Sequence, residues 1–300
     1  MAPEDHYRVG STTKTFTAVV VLQLVAEGRL ALDDLVASRL PGRAVANGDV
    51  LTVEHLLRMR SGLFDFEDGP SLLGDLDAHL APYSLGEVLD LGLRGPASFR
   101  PGERFAYCNT NFCVLEAVVE HVTGRSLGRE LGERVFGPLG LEHTSYPAQD
   151  DLSLPEPFIR GYDDAGAGWR DCSRAFFGRG DGALISNAGD LSRFFRALLG
   201  GRLLPGDLLT QMQTIVPDDP APRFAYGLGL IADPLPSGTV WGHSGGGFGY
   251  FHLPFLDPVT GRFVVCMRNG TAGFRTDATA PALPTFSPEL RALAYTGTRA

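Results

Sequence analysis

Ser11-Thr12-Thr13-Lys14 sets a hydroxyl and an amine three residues apart, the spacing that brings two side chains onto one face of a helix. A hydroxyl becomes a nucleophile when a base within hydrogen-bond reach takes its proton, and an amine acts as that base once burial disfavours its charged form. From Thr12 to Glu27 the chain is apolar or small almost throughout and closes on Gly28. A buried helix is therefore predicted to begin at Ser11, with Lys14 partly desolvated. Unpaired N–H groups at the start of that helix favour negative charge developing on the serine oxygen. Ser11 is a candidate nucleophile and Lys14 its base; the plainer alternative is an N-cap serine beside an exposed lysine. Residue usage adds weight to the first reading. Lys14 is the single lysine among 26 basic residues, and an amine can release a proton where a guanidinium cannot.

Two further elements follow in order: Tyr107-Cys108-Asn109, within Arg100 to Asn111, and His243-Ser244-Gly245-Gly246 at the start of a glycine-rich strand. With S-x-x-K, these resemble the motif set of class C β-lactamases and D-alanyl-D-alanine carboxypeptidases, S-x-x-K, Y-x-N and H-x-G or K-T-G. Ser61-Gly62-Leu63, Phe136 to Leu141 and Gly182 to Phe194 are softer matches, and the likeness covers most of residues 7 to 270.

The resemblance implies a serine hydrolase that forms an acyl-enzyme on Ser11 with an amide, β-lactam or ester. Tyr107 would relay the proton between nucleophile and leaving group, with a core aromatic as the alternative. Asn109 would fix a substrate amide through its carboxamide, or else cap the following helix. Ser244, Gly245 and Gly246 would dock the acyl group edge-on, the N–H groups of Ser11 and Gly246 forming an oxyanion hole. His243 would sit beside the nucleophile as a fourth catalytic residue, helping position Lys14, Tyr107 or a substrate carboxylate, or be an ordinary core histidine. No metal or organic cofactor is implied, and the partner is a small molecule or peptide. After Tyr226-Gly227-Leu228-Gly229-Leu230 come Ile231-Ala232, where some carboxypeptidase-like members carry an arginine for a terminal carboxylate; this tilts the expectation toward an esterase or a broader β-lactamase-related hydrolase.

Two other readings compete. Gly242-His243-Ser244-Gly245-Gly246 also fits G-x-S-x-G, the nucleophile elbow of α/β-hydrolases. That elbow needs a helix after Ser244 and a later Asp-then-His order, whereas Gly245 to Leu253 looks strand-like and His252 precedes Asp257 and Asp277. The second competitor is a β-lactamase-like binding module that has lost catalysis, against which stand the intact Ser11, Lys14, Tyr107 and His243.

The elements that must position these residues are legible in outline. His6 to Gly10 is extended. Helical segments separated by Gly/Pro loops run from Thr52 to about Leu141, at Val53 to Met59, Leu85 to Leu93 and Asn111 to Thr123, with another at Ala188 to Leu199. Strands are predicted at Phe224 to Ile231, Thr239 to Leu253 and Arg262 to Arg268, the last two joined across Asp257 to Gly261, with a terminal helix at Ser287 to Tyr295. The expected fold class is α/β (α+β) of β-lactamase/transpeptidase type: an antiparallel sheet domain from residues 1–45 and 186–300, a mainly helical domain over 46–185, and the site in the cleft between. Only ten residues precede Ser11, so the family's opening strands are expected to be missing and the sheet to show an unpaired edge.

Composition sets the outer limits. Three hundred residues, 44% hydrophobic, support a substantial core, and 38 Gly with 21 Pro fall below the level of disordered sequence. A net charge of −9 argues against nucleic acid or an anionic membrane surface as partner. The apolar run Ala18 to Ala26 is too short to span a bilayer, and no secretory signal is visible, although the family is often extracytoplasmic. Cys108, Cys113, Cys172 and Cys266 form no C-x-x-C or zinc-type cluster and read as free thiols.

Overall fold

In the computed structural model, residues 2–69, 76–164, 168–218, 225–235 and 238–271 are described. The predicted terminal helix at Ser287 to Tyr295 lies outside them. The chain opens with strand β1 (Tyr7–Arg8), a 3-10 turn over Gly10–Thr12 and helix α1 (Thr13–Ala26). The middle carries α2 (Val36–Arg39), α3 (Val53–Leu57), α4 (Leu76–His79), α5 (Leu85–Arg94), α6 (Thr110–Thr123), α7 (Leu127–Leu131) and α8 (Gly137–Leu139). Strands β2 (Tyr162–Asp164), β3 (Trp169–Asp171) and β4 (Ile185–Ser186) follow, then α9 (Ala188–Leu199) and α10 (Gly206–Gln213). The last described part is β5 (Ala225–Tyr226), β6 (Ile231–Leu235), β7 (Gly238–Gly242), β8 (Gly245–Gly247), β9 (Tyr250–Leu256), β10 (Phe263–Arg268) and β11 (Gly270–Thr271).

A helix apolar on every face must be surrounded, and α1 is: Phe16, Ala18 to Leu22 and Leu24 have no exposed surface. Phe16 stacks on Phe194 of α9 with centroids 3.5 Å apart, while α6 and α7 pack against other faces. Truncating such a central aromatic typically costs 3 to about 5 kcal/mol, so the helix carrying Lys14 is one of the firmer parts of the molecule. Its partner α6 ends on Gly124 at φ 71°, a left-handed C-cap that glycine adopts freely.

The main sheet is antiparallel, in the order β10-β9-β7-β6-β5, with β8 pairing a second stretch of β9. The hairpin expected across Asp257 to Gly261 forms, with Phe263 opposite Leu256. Thr239 to Leu253, read as one strand from sequence, is three: β7 ends at Gly242, His243 and Ser244 turn, and β8 and β9 follow. Glycine density makes this break, since residues without side chains contribute little to holding a regular strand. The predicted strand ending at Ile231 likewise divides into β5 and β6 around Gly227 to Leu230. Among the described residues β10 pairs only with β9, leaving one edge open.

The mainly helical middle is not helical throughout. β2 and β3 pair with each other, and β2 lies parallel to β11 near the chain's end. β4 pairs antiparallel with β1, setting Tyr7 opposite Ser186. Arg8 reinforces this join, donating to the carbonyls of Ser173 at 2.8 Å and Leu152 at 2.6 Å. Residues 145–185 thus tie the start of the chain in place immediately before Ser11.

Candidate active site

Ser11, the predicted helix start, lies in the 3-10 turn that leads into α1, which begins two residues later at Thr13, and its side chain is partly exposed. Lys14, on the first turn of α1, has no exposed surface. Its Nζ donates to Ser11 Oγ at 3.1 Å, Asn109 Oδ1 at 2.6 Å and the Asp181 carbonyl at 2.9 Å. A carboxylate oxygen of Asp181 stands 4.0 Å away. Burial pulls the Lys14 pKa down, while Asp181, Glu67, Asp65 and Cys113 pull it back up; burial wins. The amine is thereby inclined to its neutral, basic form while three acceptors fix its position.

Tyr107 is half-buried with its ring centroid 4.9 Å from Lys14 Nζ, and the neighbouring Ser11 hydroxyl lowers its phenol pKa by less than burial raises it. Burial pushes the phenol well above its ordinary range. It is a neutral donor, and Lys14 is the better base of the two.

Asn109, expected to fix a substrate amide, also joins the lysine to a carboxylate. Its carboxamide oxygen is taken by Lys14 and its nitrogen donates to Asp65 Oδ2 at 3.1 Å. Its side chain does not cap α6. Asp65 also accepts from the Asn109 backbone N–H at 2.9 Å, so one carboxylate sets which way the amide faces. Burial raises Asp65 to about 6, and burial with the charges of Asp65 and Asp181 raises the half-buried Glu67 to about 8. The acidic side chains around Lys14 therefore do not all carry charge: Glu67, raised to about 8, is largely protonated at neutral pH.

His243 lies on the β7–β8 turn beside the pair, with both ring nitrogens engaged by neighbours. Its Nδ1 lies 2.7 Å from the Ser244 carbonyl, which can only accept, so that nitrogen carries the hydrogen. Its Nε2 then accepts from the Tyr226 hydroxyl at 2.9 Å. With both nitrogens engaged and the ring buried, desolvation and the Lys14 charge hold its pKa down to about 3. Tyr226 carries no site signal in the sequence: its pairing with His243 is a contact between β5 and the β7–β8 turn that no local pattern displays.

Gly245 and Gly246 run beside the Ser11 turn. A Cβ at Gly245 would lie 1.9 Å from the Val9 carbonyl, and one at Gly10, which has φ +48°, would lie 2.9 Å from Gly246 N. Only glycines let the two backbones come this close. The contact is held by side chains as well: Thr12 Oγ1 donates to the His243 carbonyl at 2.7 Å, and His252 Nε2 lies 2.8 Å from the Val9 carbonyl. Ser244 is in the turn between β7 and β8 with a strand after it, so the strand-to-helix elbow of an α/β-hydrolase is absent there. Among the described residues no His/Cys/Asp/Glu group could hold a metal ion and no helix is long and apolar enough to cross a membrane. The four cysteines are free.

Comparison with known proteins agrees with this geometry. The chain is 35% identical over 160 residues to penicillin-binding protein 4 of Amycolatopsis lactamdurans, a match covering 51% of this chain and 38% of that relative. It thus spans little more than a third of that relative's length. Among solved structures it is similar to a D-stereospecific amidohydrolase from Streptomyces sp., with TM-score 0.85, 35% identity, and 98% of this chain and 87% of the other covered. D-amino acid amidase from Ochrobactrum anthropi SV3 superposes with TM-score 0.80 at 28% identity, over 91% of this chain and 79% of the other. Both share the β-lactamase/transpeptidase fold. The model of the beta-lactamase family matches residues 1–284, and the chain belongs to that family, whose members here are serine hydrolases.

Proposed function

We propose that the protein is a serine hydrolase that forms an acyl-enzyme on Ser11, acting on amides whose acyl part carries an amino group, as D-amino acid amides and short D-peptides do. The observation that carries the reading is the 3.1 Å contact of the buried Lys14 Nζ with Ser11 Oγ. As Ser11 Oγ bonds to the carbonyl carbon, its proton passes to the neutral Lys14 amine. The tetrahedral oxyanion is received by the Ser11 and Gly246 N–H groups, where one donor is worth about 3 kcal/mol. Tyr107 passes a proton to the leaving amine, and water then releases the acid by the reverse route. His243, buried and neutral, holds the β7–β8 turn and Tyr226 in place and exchanges no proton with substrate.

Charge supports the choice of acyl part. Asp65 and Asp181 stand beside one lysine, while Glu67, raised to about 8, is largely protonated at neutral pH and the imidazole nearby is neutral; the balance of charge favours an ammonium over a carboxylate. Ile231 and Ala232, buried in β6, offer no cation for a terminal carboxylate. The similarity to a D-stereospecific amidohydrolase and a D-amino acid amidase points the same way.

The test is intact-mass analysis after exposure to a penicillin, to p-nitrophenyl acetate and to D-phenylalanine amide, in wild type, Ser11→Ala and Ser244→Ala. An adduct from either acylating agent that disappears only in Ser11→Ala, with turnover of the D-amide, is the expected result. An adduct that survives in Ser11→Ala overturns the nucleophile, and a folded protein that takes no adduct is a binding module.

A further inference from the structure

Asp181 stands directly behind the catalytic pair and touches it twice, through its backbone and through its side chain. Its carbonyl accepts from Lys14 Nζ at 2.9 Å and its Oδ2 stands 4.0 Å from the same nitrogen. The carboxylate is itself fixed: Oδ1 accepts from the Arg179 N–H at 2.8 Å and from Cys113 Sγ of α6 at 3.0 Å. It is buried, and Gly178 at φ +87° makes room for it, since a Cβ there would lie 2.4 Å from Asp181 Oδ1. A charge held this rigidly in a dry site is not screened by water.

Lys14 has three acceptors around it, which match the three protons of an ammonium. In the neutral amine there are two protons. Asn109 Oδ1 and the Asp181 carbonyl, at 2.6 and 2.9 Å, are the shorter contacts and take them. The lone pair is then left toward Ser11 Oγ, the longer contact at 3.1 Å.

We propose that Asp181 is a positioning residue that aims the Lys14 lone pair at Ser11 through its carbonyl and, through its carboxylate, stabilises the ammonium that forms when Ser11 gives up its proton. In that step the Ser11 O–H bond breaks, an N–H bond forms on Lys14 and the Oγ–carbon bond forms; the new positive charge arises 4.0 Å from a fixed negative one. The other groups facing Lys14 are Asp65 and Glu67 from the loop after α3, Tyr107 and Cys113 from the start of α6 and the segment before it, and His243 from the β7–β8 turn. Of the carboxylates, Asp181 is the one whose backbone also holds the amine. The inference rests on the proposed role of Lys14 as base.

Residue usage makes the experiment direct, because Lys14 is the single lysine in the chain. The full chain made with lysine labelled by carbon-13 at Cε gives one side-chain resonance, whose titration reads the Lys14 amine without substrate. Asp181→Asn keeps the shape and an acceptor for the Arg179 amide but removes the charge; Asp181→Ser is the second variant in case the first does not fold. The expected result is a Lys14 midpoint about one to three pH units lower than in wild type. The acid limb of Ser11 acylation by p-nitrophenyl acetate moves down with it, and the plateau rate falls roughly tenfold because a weaker base accepts the proton. A purely structural loss lowers the rate at every pH and leaves the midpoint in place, and that result overturns the proposal. Absence of any Ser11 adduct in wild type instead overturns the hydrolase reading, while the resonance still reports on Asp181.

Discussion

Asn109 Oδ1 lies 2.6 Å from Lys14 Nζ while its Nδ2 donates to Asp65 at 3.1 Å, so a single carboxamide joins the proposed base to a carboxylate. Asn109→Leu leaves an N–H of Lys14 without its partner and takes one of two donors from Asp65 Oδ2, which keeps the backbone N–H of residue 109. A loss of about 1–3 kcal/mol in stability is expected from the stranded polar group, together with a fall of 10- to about 100-fold in acylation rate as the amine loses its orientation. Thermal unfolding and a p-nitrophenyl acetate burst, followed on the same sample, check both.

Lys14→Arg keeps a positive charge and removes the base. A guanidinium holds its proton at any working pH, so acylation of Ser11 is expected to drop by at least about a thousandfold, as for loss of an activating base in other nucleophilic hydrolases. The reading is the fraction of protein carrying an adduct by intact mass after one hour; acylation within tenfold of wild type removes Lys14 from the mechanism.

Gly10→Ala tests the backbone approach behind the proposed oxyanion hole. The new methyl lies 2.9 Å from both N and O of Gly246, at a φ of +48° that side chains rarely adopt. Strand β8 must shift, and kcat is expected to fall about a hundredfold with KM changed much less, because the oxyanion exists only beyond the ground state. A KM-only effect places the fault in binding.

Stability should fall in acid through the two buried imidazoles. His243 and His252 are held to about 3 and about 4 by burial, against an ordinary value near 6.5 in the unfolded chain. Between pH 6.5 and about 4 the unfolded state therefore binds more protons than the folded one, and each imidazole removes up to about 1.4 kcal/mol per pH unit as pH drops. Asp65, Glu67 and Glu116, all raised by burial, act in the opposite sense over part of this range. A difference between two proteins cancels them: His252→Gln, compared with wild type by urea unfolding from pH 7 to pH 4, is expected to decline less steeply. Parallel slopes refute the assignment.

Tyr226→Phe removes the donor on His243 Nε2 and leaves a buried acceptor unpaired. A threefold to about thirtyfold loss in kcat/KM is expected as the β7–β8 turn loosens, with no new limb near pH 6.5 unless the ring becomes solvated. The pH profile of kcat/KM in the variant decides this.

What could be read from the chain was what is local in it. Ser11 and Lys14 are three residues apart at the start of an apolar helix, so period and burial alone predict their meeting, and the 3.1 Å contact bears that out. The helices flanking the site and the β9–β10 hairpin were legible for the same reason, through apolar spacing and a Pro/Gly turn. The strands around Gly242 to Gly249 were not, because glycine carries no pattern to mark where pairing stops. Tertiary structure alone decided who surrounds the lysine. Asn109 and Asp181 reach it across 95 and 167 residues, and Tyr226 of β5 engages His243 Nε2 from outside the His243 motif. A motif names residue types along one dimension, whereas the basicity of an amine depends on its dielectric and on every charge within a few ångströms, and those are set only when distant segments pack.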